Sequence, residues 1–253
     1  MMRYKDVMKI SCGVFASIMS TVSCLAQPNR PAPEPTDTIV IAVVLGKAIT
    51  AKEKENLNGL IFGALLDKYS RDHDIAPTDN ELDTFVRKTE EIEKQEHARL
   101  ERDREKLRKE LKSTSISDRD RKEKESWLQN IESILKSKKE ISAQADMNEE
   151  QARRVKLRVA QQFVRSWKIN KLLHEKYGGR VIFQQAGVEP VDAYRDFLKE
   201  QEKNGAFRII DKKYEPGFWR YFINDSMHTF YPKDDGAKFL KTPWWMMEKS
   251  AEE

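Results

Sequence analysis

Cysteine is almost absent from this sequence, and its two cysteines both lie near the beginning. Cys12 and Cys24 fall within the first 26 residues, so the rest of the chain has none. A disulfide framework is therefore excluded for that part, and its stability has to come from the burial of apolar side chains. The chain is long enough for one substantial core or two modest ones.

The sequence also lacks a strong excess of charge of either sign. It has 46 lysines and arginines against 42 aspartates and glutamates, a formal net charge of +4. General nucleic-acid binders carry a much larger positive excess, usually gathered on one face. We therefore expect no nucleic-acid partner.

Recognisable catalytic motifs are missing as well. The sequence has no Gly-rich phosphate loop, no G-x-S-x-G, no H-E-x-x-H and no cysteine pair. Its four histidines stand far apart, at His73, His97, His174 and His228. His73 has aspartates on both sides and His228 follows Asp225 by three residues, but we interpret both as solvated or structural. The sequence predicts no catalytic residue, no metal site and no cofactor, and an enzyme would have to use carboxylates spread along the chain.

The first 26 residues have the order of a secretory signal peptide. Three basic residues precede an uncharged stretch, Ile10 to Ala26, which is shorter than the roughly 20 residues that span a bilayer. We predict cleavage after Ala26 and a periplasmic location. The alternative is a lipoprotein anchored at Cys24, although Thr21 and Ser23 occupy the positions where a lipobox has a large aliphatic residue and a glycine or alanine.

Residues 27–37 are rich in proline and predict an extended linker. Residues 38–90 predict two helices, preceded within Thr38 to Leu45 by a short buried strand or an extended lead-in. Thr50, with Glu53 three residues on, favours a capping box, and leucines at helical spacing follow to about Tyr69. A second start signal lies at Thr78.

Residues 91–147 change sharply in composition to long runs of charged residues with few apolar ones. A helical hairpin fits this pattern best, with its turn at residues 113–118 and a thin apolar stripe between its arms. The alternative is a partly disordered charged segment, because so few large apolar groups offset the entropy of ordering.

Residues 148–253 begin with a third long helix, which Asn148 and Gln151 open and two glycines at 178 and 179 end. Between residues 151 and 173 the helix has basic side chains and no acid: Arg153, Arg154, Lys156, Arg158, Arg165, Lys168 and Lys171. One interpretation is a patch for an anionic partner, such as an acidic peptide or the lipid headgroups of a membrane surface. The favoured one is a solvated face that pairs with the acidic arms. A helix from Pro190 to Asn204 and a short strand at 207–210 are also predicted.

Aromatic residues crowd into the C-terminal region, between Tyr214 and Trp245. They either build a core, which is the favoured interpretation, or line a groove. For the groove, the residues predicted to bind a peptide are Phe163, Trp167, Phe218, Trp219 and Phe222. The pattern as a whole predicts a mainly α fold with minor β structure.

One stretch, Val43 to Val86, is similar to a known family. It contains VVLGKAIT, a leucine-rich helix and the step Pro77-Thr78-Asp79-Asn80-Glu81-Leu82. In this order the stretch resembles the N-terminal module of SurA-type periplasmic chaperones and related foldases. The resemblance implies a helical module that holds unfolded chains and is completed by a helix returning from later in the sequence, here the basic helix from Asn148 to Tyr177.

The chain departs from that family in one respect. Family members usually carry one or two parvulin-type prolyl isomerase domains after this module, whereas the charged hairpin occupies that place here. The resemblance therefore implies a holdase or assembly factor that binds unfolded or outer-membrane polypeptides without isomerase activity. The alternative is an envelope scaffold with one dedicated folded partner.

Overall fold

A computed structural model describes residues 38–113, 115–144, 148–184 and 187–247. The signal peptide and the proline-rich linker predicted for residues 1–37 lie outside the described residues. The described chain is mainly helical with minor antiparallel strands, which confirms the predicted mainly α class. It divides into two units. The first unit combines the residues before 78 with those after 161, and the second unit consists of residues 78–161.

The elements are numbered here in chain order. The helices are α1 Leu57–Asp72, α2 Asp79–Leu111, α3 Asp118–Gln144, α4 Glu149–Tyr177, α5 Val191–Lys203, α6 Glu215–Ile223 and α7 Lys233–Lys241. The strands are β1 Val40–Val44, β2 Lys47–Thr50, β3 Ile182–Gln184, β4 Gly187–Glu189 and β5 Phe207–Ile209. Helix α4 contributes its first part to one unit and its second part, from residue 162, to the other.

The first unit is built on a three-stranded antiparallel sheet in the order β2-β1-β5. Leu45 and Gly46 form the turn between β1 and β2, with φ of 48° and 78°. The left-handed backbone at Leu45 is unusual for a residue with a side chain, whereas Gly46 adopts it readily. The sequence predicted β1 and β5 but not β2, which is short and ends at the Thr50 cap.

One hydrophobic core joins this sheet to α1, to the second part of α4, and to α5 and α6. Its most enclosed side chains include Ile61, Leu65, Leu173, Phe197, Leu198, Phe207, Ile209 and Phe218. A smaller cluster lies between the β3–β4 hairpin and α7, with Val181, Val188, Phe239 and Leu240 at its centre. Gly236 of α7 is required there, because a Cβ at that position would overlap the side chain of Val181.

The second unit contains the predicted helical hairpin, formed by α2 and α3. Its seam is apolar but thin, with Leu100, Ile131 and Leu135 buried and Leu107 packed against them. An ion pair also crosses the seam, with Arg108 Nη2 2.7 Å from Glu132 Oε1. The first arm is not a separate element, because α2 runs without interruption from Asp79 through residue 90.

The three capping signals in the sequence are confirmed, although the Thr50 box opens a short 3-10 helix, Ala51–Asn56, which precedes α1. The backbone N–H of Thr50 donates to Glu53 Oε2 at 2.9 Å, and that of Thr78 to Glu81 Oε2 at 2.7 Å. Before α4, the Gln151 N–H donates to the side chain of Asn148 at 2.9 Å. Each cap satisfies backbone donors that a helix start leaves without partners.

We expect Thr78→Ala to lower the free energy of unfolding by about 1 kcal/mol, because the Thr78 hydroxyl caps α2 by accepting a hydrogen bond from the Glu81 N–H. Thr84→Ala, six residues later within α2, is the matched control. It should be neutral or slightly stabilising, since alanine has the higher helix propensity. Urea unfolding followed by far-UV circular dichroism measures both, and equal losses at the two positions would contradict the assignment of the cap.

Candidate functional site

Three of the residues predicted to bind a peptide lie on α6, and the core takes up most of their surface. Phe218 and Phe222 are only 1% and 3% exposed. Trp219 packs against the same core and is partly buried. The rings of Phe218 and Phe222 lie 5.9 Å apart, and Phe218 also contacts Phe207 of β5 at 5.5 Å. Phe218 and Phe222 thus have almost no surface to offer a ligand.

Phe163 and Trp167 of α4 belong to a different group of rings. Trp167 packs against the smaller cluster, and its indole N–H donates to the Phe239 carbonyl at 2.9 Å. Its ring lies 6.2 Å from that of Trp245, and Phe163 lies 6.3 Å from Trp244. The structure therefore places the five predicted residues in two separate groups of rings and does not bring them together in one groove.

The basic face of α4 is extensively paired. Arg165 lies 2.8 Å from Asp67 of α1, and Lys168 donates to the Ala76 carbonyl at 2.8 Å. In the other unit, Lys156 lies 2.7 Å from Glu90 of α2. Lys156 thus pairs with an acidic side chain of α2, although Glu90 lies directly before the predicted arm of residues 91–147.

A compact group of charges lies where the chain leaves α4. Arg180 donates from Nε and Nη2 to the carboxylate of Asp192 at 2.8 and 3.0 Å, and from Nη1 and Nη2 to that of Asp225 at 2.7 and 2.9 Å. The ring of Phe230 lies 4.0 Å from the guanidinium carbon. A second arginine, Arg195, donates to Asp192 at 3.0 Å. One guanidinium thus connects the start of α5 to the turn after α6.

Gly179 makes this arrangement possible. It has φ of 93°, and a Cβ there would overlap the side chain of Asp192. The hydrogen bonds of Arg180 lower the pKa of Asp192 to about 2, and the same bonds raise the pKa of Arg180. A largely buried carboxylate needs such partners, because an unpaired charge there would be strongly destabilising.

A second polar group lies at the end of β4. The Tyr221 hydroxyl of α6 donates to the carboxylate of Glu189, and His228 Nε2 lies 2.6 Å from the Tyr221 carbonyl. Burial raises the pKa of the Glu189 carboxyl and that of the Tyr221 phenol. The other ring nitrogen of His228 is enclosed without a polar partner among the described residues.

Buried polar groups continue from this point toward α4. The Tyr194 hydroxyl of α5 donates to Asn170 Oδ1 at 2.7 Å, and Asn170 Nδ2 donates to the Val188 carbonyl at 2.8 Å. Burial, with the nearby charge of Glu189 as a second cause, raises the pKa of Tyr194 far above its usual range. These bonds satisfy the buried groups and fix the relative positions of α4, α5 and β4.

Neither His73 nor His228 pairs with the aspartate that lies near it in the sequence. Asp225 bonds to Arg180, while His228 bonds to a backbone carbonyl. His73 Nδ1 lies 2.9 Å from the Tyr69 carbonyl, and the neighbouring Asp72 pairs with Lys68. The interpretation of both histidines as structural therefore fits their contacts better than a catalytic role.

Sequence reasoning missed the network around Arg180 and Glu189, because its partners lie 12 to 45 positions apart. The local signal was slight: the second of two glycines, interpreted as a helix end, also makes room for Asp192. Among the described residues no group of three or more histidines, cysteines, aspartates or glutamates is placed to hold a metal ion. No helix in this part of the chain is long and apolar enough to cross a membrane.

Comparison with protein-family models, with curated proteins and with solved structures found no match. The resemblance to SurA-type chaperones accordingly rests on the sequence motifs of residues 43–86. The contacts above define a mainly α protein whose first unit is held by an aromatic core and a partly buried polar network.

We expect Asp192→Asn to lower the free energy of unfolding by about 1 to 2 kcal/mol at neutral pH, allowing for the partial exposure of Arg180. Because the pKa of Asp192 falls from 3.8 to about 2 on folding, its contribution is complete above about pH 4 and is lost as the pH falls toward 2. Asp225→Asn, which removes the exposed partner of Arg180, should cost less than Asp192→Asn, because solvent screens an exposed ion pair. Denaturant unfolding at several pH values tests this, and a difference between wild type and Asp192→Asn that does not shrink in acid would contradict it.

We also expect Phe218→Ala to cost about 3 to 5 kcal/mol, because it empties a fully enclosed site in the core. Ile223→Ala, at the exposed end of the same helix, should change the free energy of unfolding by no more than about 0.5 kcal/mol. Thermal and urea unfolding measure both variants. A small effect of Phe218→Ala would indicate that this ring lines an accessible groove instead.

Proposed function

We propose that this chain is an exported chaperone-like protein, a holdase or assembly factor, which binds unfolded or outer-membrane polypeptides in the periplasm. The proposal combines the signal-like first 26 residues, the resemblance of residues 43–86 to a chaperone module, and an exposed apolar patch in the first unit. The proposal includes no prolyl isomerase activity, because two charged helices occupy the place of the family's isomerase domains.

The arrangement around α1 supports the module. The strand, the Leu45-Gly46 turn, the Thr50 cap and α1 follow one another in the expected order. Ile169 and Leu173 of α4 lie in the same hydrophobic core as Ile61 of α1. A helix from later in the sequence thus packs on α1, which is the position that a returning helix would take.

The observation that carries the proposal is a group of exposed branched side chains at one end of the sheet. Ile39 and Ile210 are 53% and 44% exposed, and Val40 is also exposed. They share one end of the sheet because the Ile210 N–H donates to the Ile41 carbonyl at 2.8 Å. Ile39, Val40 and Ile210 are called the sheet-end patch below.

The chemistry of the sheet-end patch suits an unfolded client. Its side chains are aliphatic and carry no polar group, so they select apolar residues without reading a particular sequence. Burying apolar surface contributes roughly 25 cal/mol per Å². A patch of three side chains therefore supports weak binding, as a holdase that releases its clients requires.

The test is suppression of aggregation when an outer-membrane polypeptide is diluted from urea in the presence of the purified whole chain. Wild type should slow light scattering at near-stoichiometric amounts. The double variant Ile39→Ser, Ile210→Ser should lose most of that protection, because it replaces apolar surface with hydroxyls. Ile223→Ser, at an exposed apolar position on α6, is the matched control and should protect like wild type.

Two outcomes would count against the proposal. Absence of protection by wild type would contradict the holdase and favour the envelope scaffold, which predicts one tight folded partner on pull-down. Acceleration of prolyl isomerisation in a peptide assay run beside it would show that the chain has the activity that the proposal leaves out.

A further inference from the structure

Helix α3 presents an exposed stripe that has almost no charge. Trp127 and Ile134, seven residues apart, lie on the same face of the helix and are 53% and 37% exposed. The side chains beside them on this face are small or uncharged, and all are exposed: Ser126, Asn130, Ser133 and Ser137. We call these six residues the α3 stripe.

The stripe differs from the rest of the hairpin. The apolar residues that hold α3 against α2 are Ile131 and Leu135, which are buried and lie beside the stripe on the helix surface. A tryptophan left in water on so charged a helix is unusual, since aromatic side chains of this size are normally mostly buried. The α3 stripe therefore has the composition of a second packing face, which the described part of its unit leaves open to solvent.

Opposite charges flank the stripe at equal distances from its centre. Glu123 precedes Trp127 by four residues and Lys138 follows Ile134 by four, so both lie along the same side of the helix. Neither forms an ion pair within 4 Å among the described residues. At longer range, the charge of Lys138 partly offsets the rise that burial causes in the pKa of Glu93 on α2. The stripe thus reads as acid, tryptophan, isoleucine, base along the chain.

This order of residues is complementary to the same order on a second, antiparallel helix. If two α3 helices lie antiparallel about a two-fold axis between residues 130 and 131, Trp127 of each copy faces Ile134 of the other. In the same register Glu123 of each faces Lys138 of the other, which gives two ion pairs. Serines and Asn130 between them allow close approach without burying a charge.

We propose that the α3 stripe is a self-association face, on which a second copy of this chain docks with its own α3 stripe in antiparallel orientation. A different protein would not require the acid and the base to stand at equal distances from the centre of the stripe, whereas a two-fold contact does. The contact covers only about four turns of helix, so it lies below the size of a standard stable interface and forms at micromolar concentration.

Sedimentation equilibrium of the purified whole chain over a range of concentrations tests the association. Wild type should pass from monomer to dimer with increasing concentration. The double variant Trp127→Ala, Ile134→Ala should stay monomeric to at least tenfold higher protein concentration. Ile223→Ala, which removes exposed apolar surface from the other unit, should dimerise like wild type. Far-UV circular dichroism shows whether each variant keeps its helices.

Charge reversal tests the partner and the orientation together. Glu123→Lys alone and Lys138→Glu alone should each weaken dimerisation about tenfold, since each places two pairs of like charges in contact. The double reversal Glu123→Lys, Lys138→Glu should restore wild-type dimerisation. Asn130→Cys, in a chain whose Cys12 and Cys24 are replaced by serine, should also cross-link to its symmetry mate with a short bismaleimide.

Several results would overturn the proposal. One is a wild-type chain that stays monomeric at every concentration. Another is a dimer that the double variant Trp127→Ala, Ile134→Ala does not weaken. A third is a double charge reversal that dimerises no more tightly than the single reversals. A parallel contact would give strong cross-linking from cysteines at both ends of the α3 stripe and would overturn the antiparallel register.

Discussion

Burial of apolar side chains is the constraint on which this fold depends, because the described chain has no cysteine to cross-link it. The first unit meets that constraint with rings: Phe197, Phe207 and Phe218 fill the space between the sheet and its helices. This has a direct consequence for function, since aromatic residues enclosed in the core cannot also contact a client. The exposed apolar surface of this unit includes the aliphatic side chains at the end of the sheet.

The polar network is the second requirement of the same unit. The start of α5 and the turn after α6 meet at the end of α4, and packing of aromatic rings alone would not fix their relative positions. The two-sided contacts of Arg180 with Asp192 and Asp225 set that registration, and Tyr221 with Glu189 extends it to β4. Breaking a partly buried ion pair of this kind is destabilising, because the loss of one partner leaves the other charge without a counter-charge. We therefore interpret the cluster as structural, although pairing lowers the pKa of its Asp192 carboxyl and burial raises that of its Tyr221 phenol.

The sequence predicted what is decided locally. The capping boxes at Thr50, Thr78 and Asn148 depend on residues three apart, and the hairpin depends on a stripe that repeats within each arm, so both could be read along the chain. Contacts between distant segments could not be read in this way. Neither the pairing of Arg180 with Asp225 nor the separation of Trp167 from Phe218 into two clusters leaves a local pattern. Strand β2 was missed because its few residues carry no alternation.

The functional proposal depends on whether exposed apolar surface in the first unit engages chains that have not folded. The most direct measurement is fluorescence anisotropy of a labelled outer-membrane polypeptide, kept unfolded at low concentration and titrated with the whole chain. We predict saturable binding in the micromolar range to the unfolded polypeptide and none to the same polypeptide after it has folded into detergent. Absence of binding, or equal binding to the folded and unfolded forms, would contradict the account.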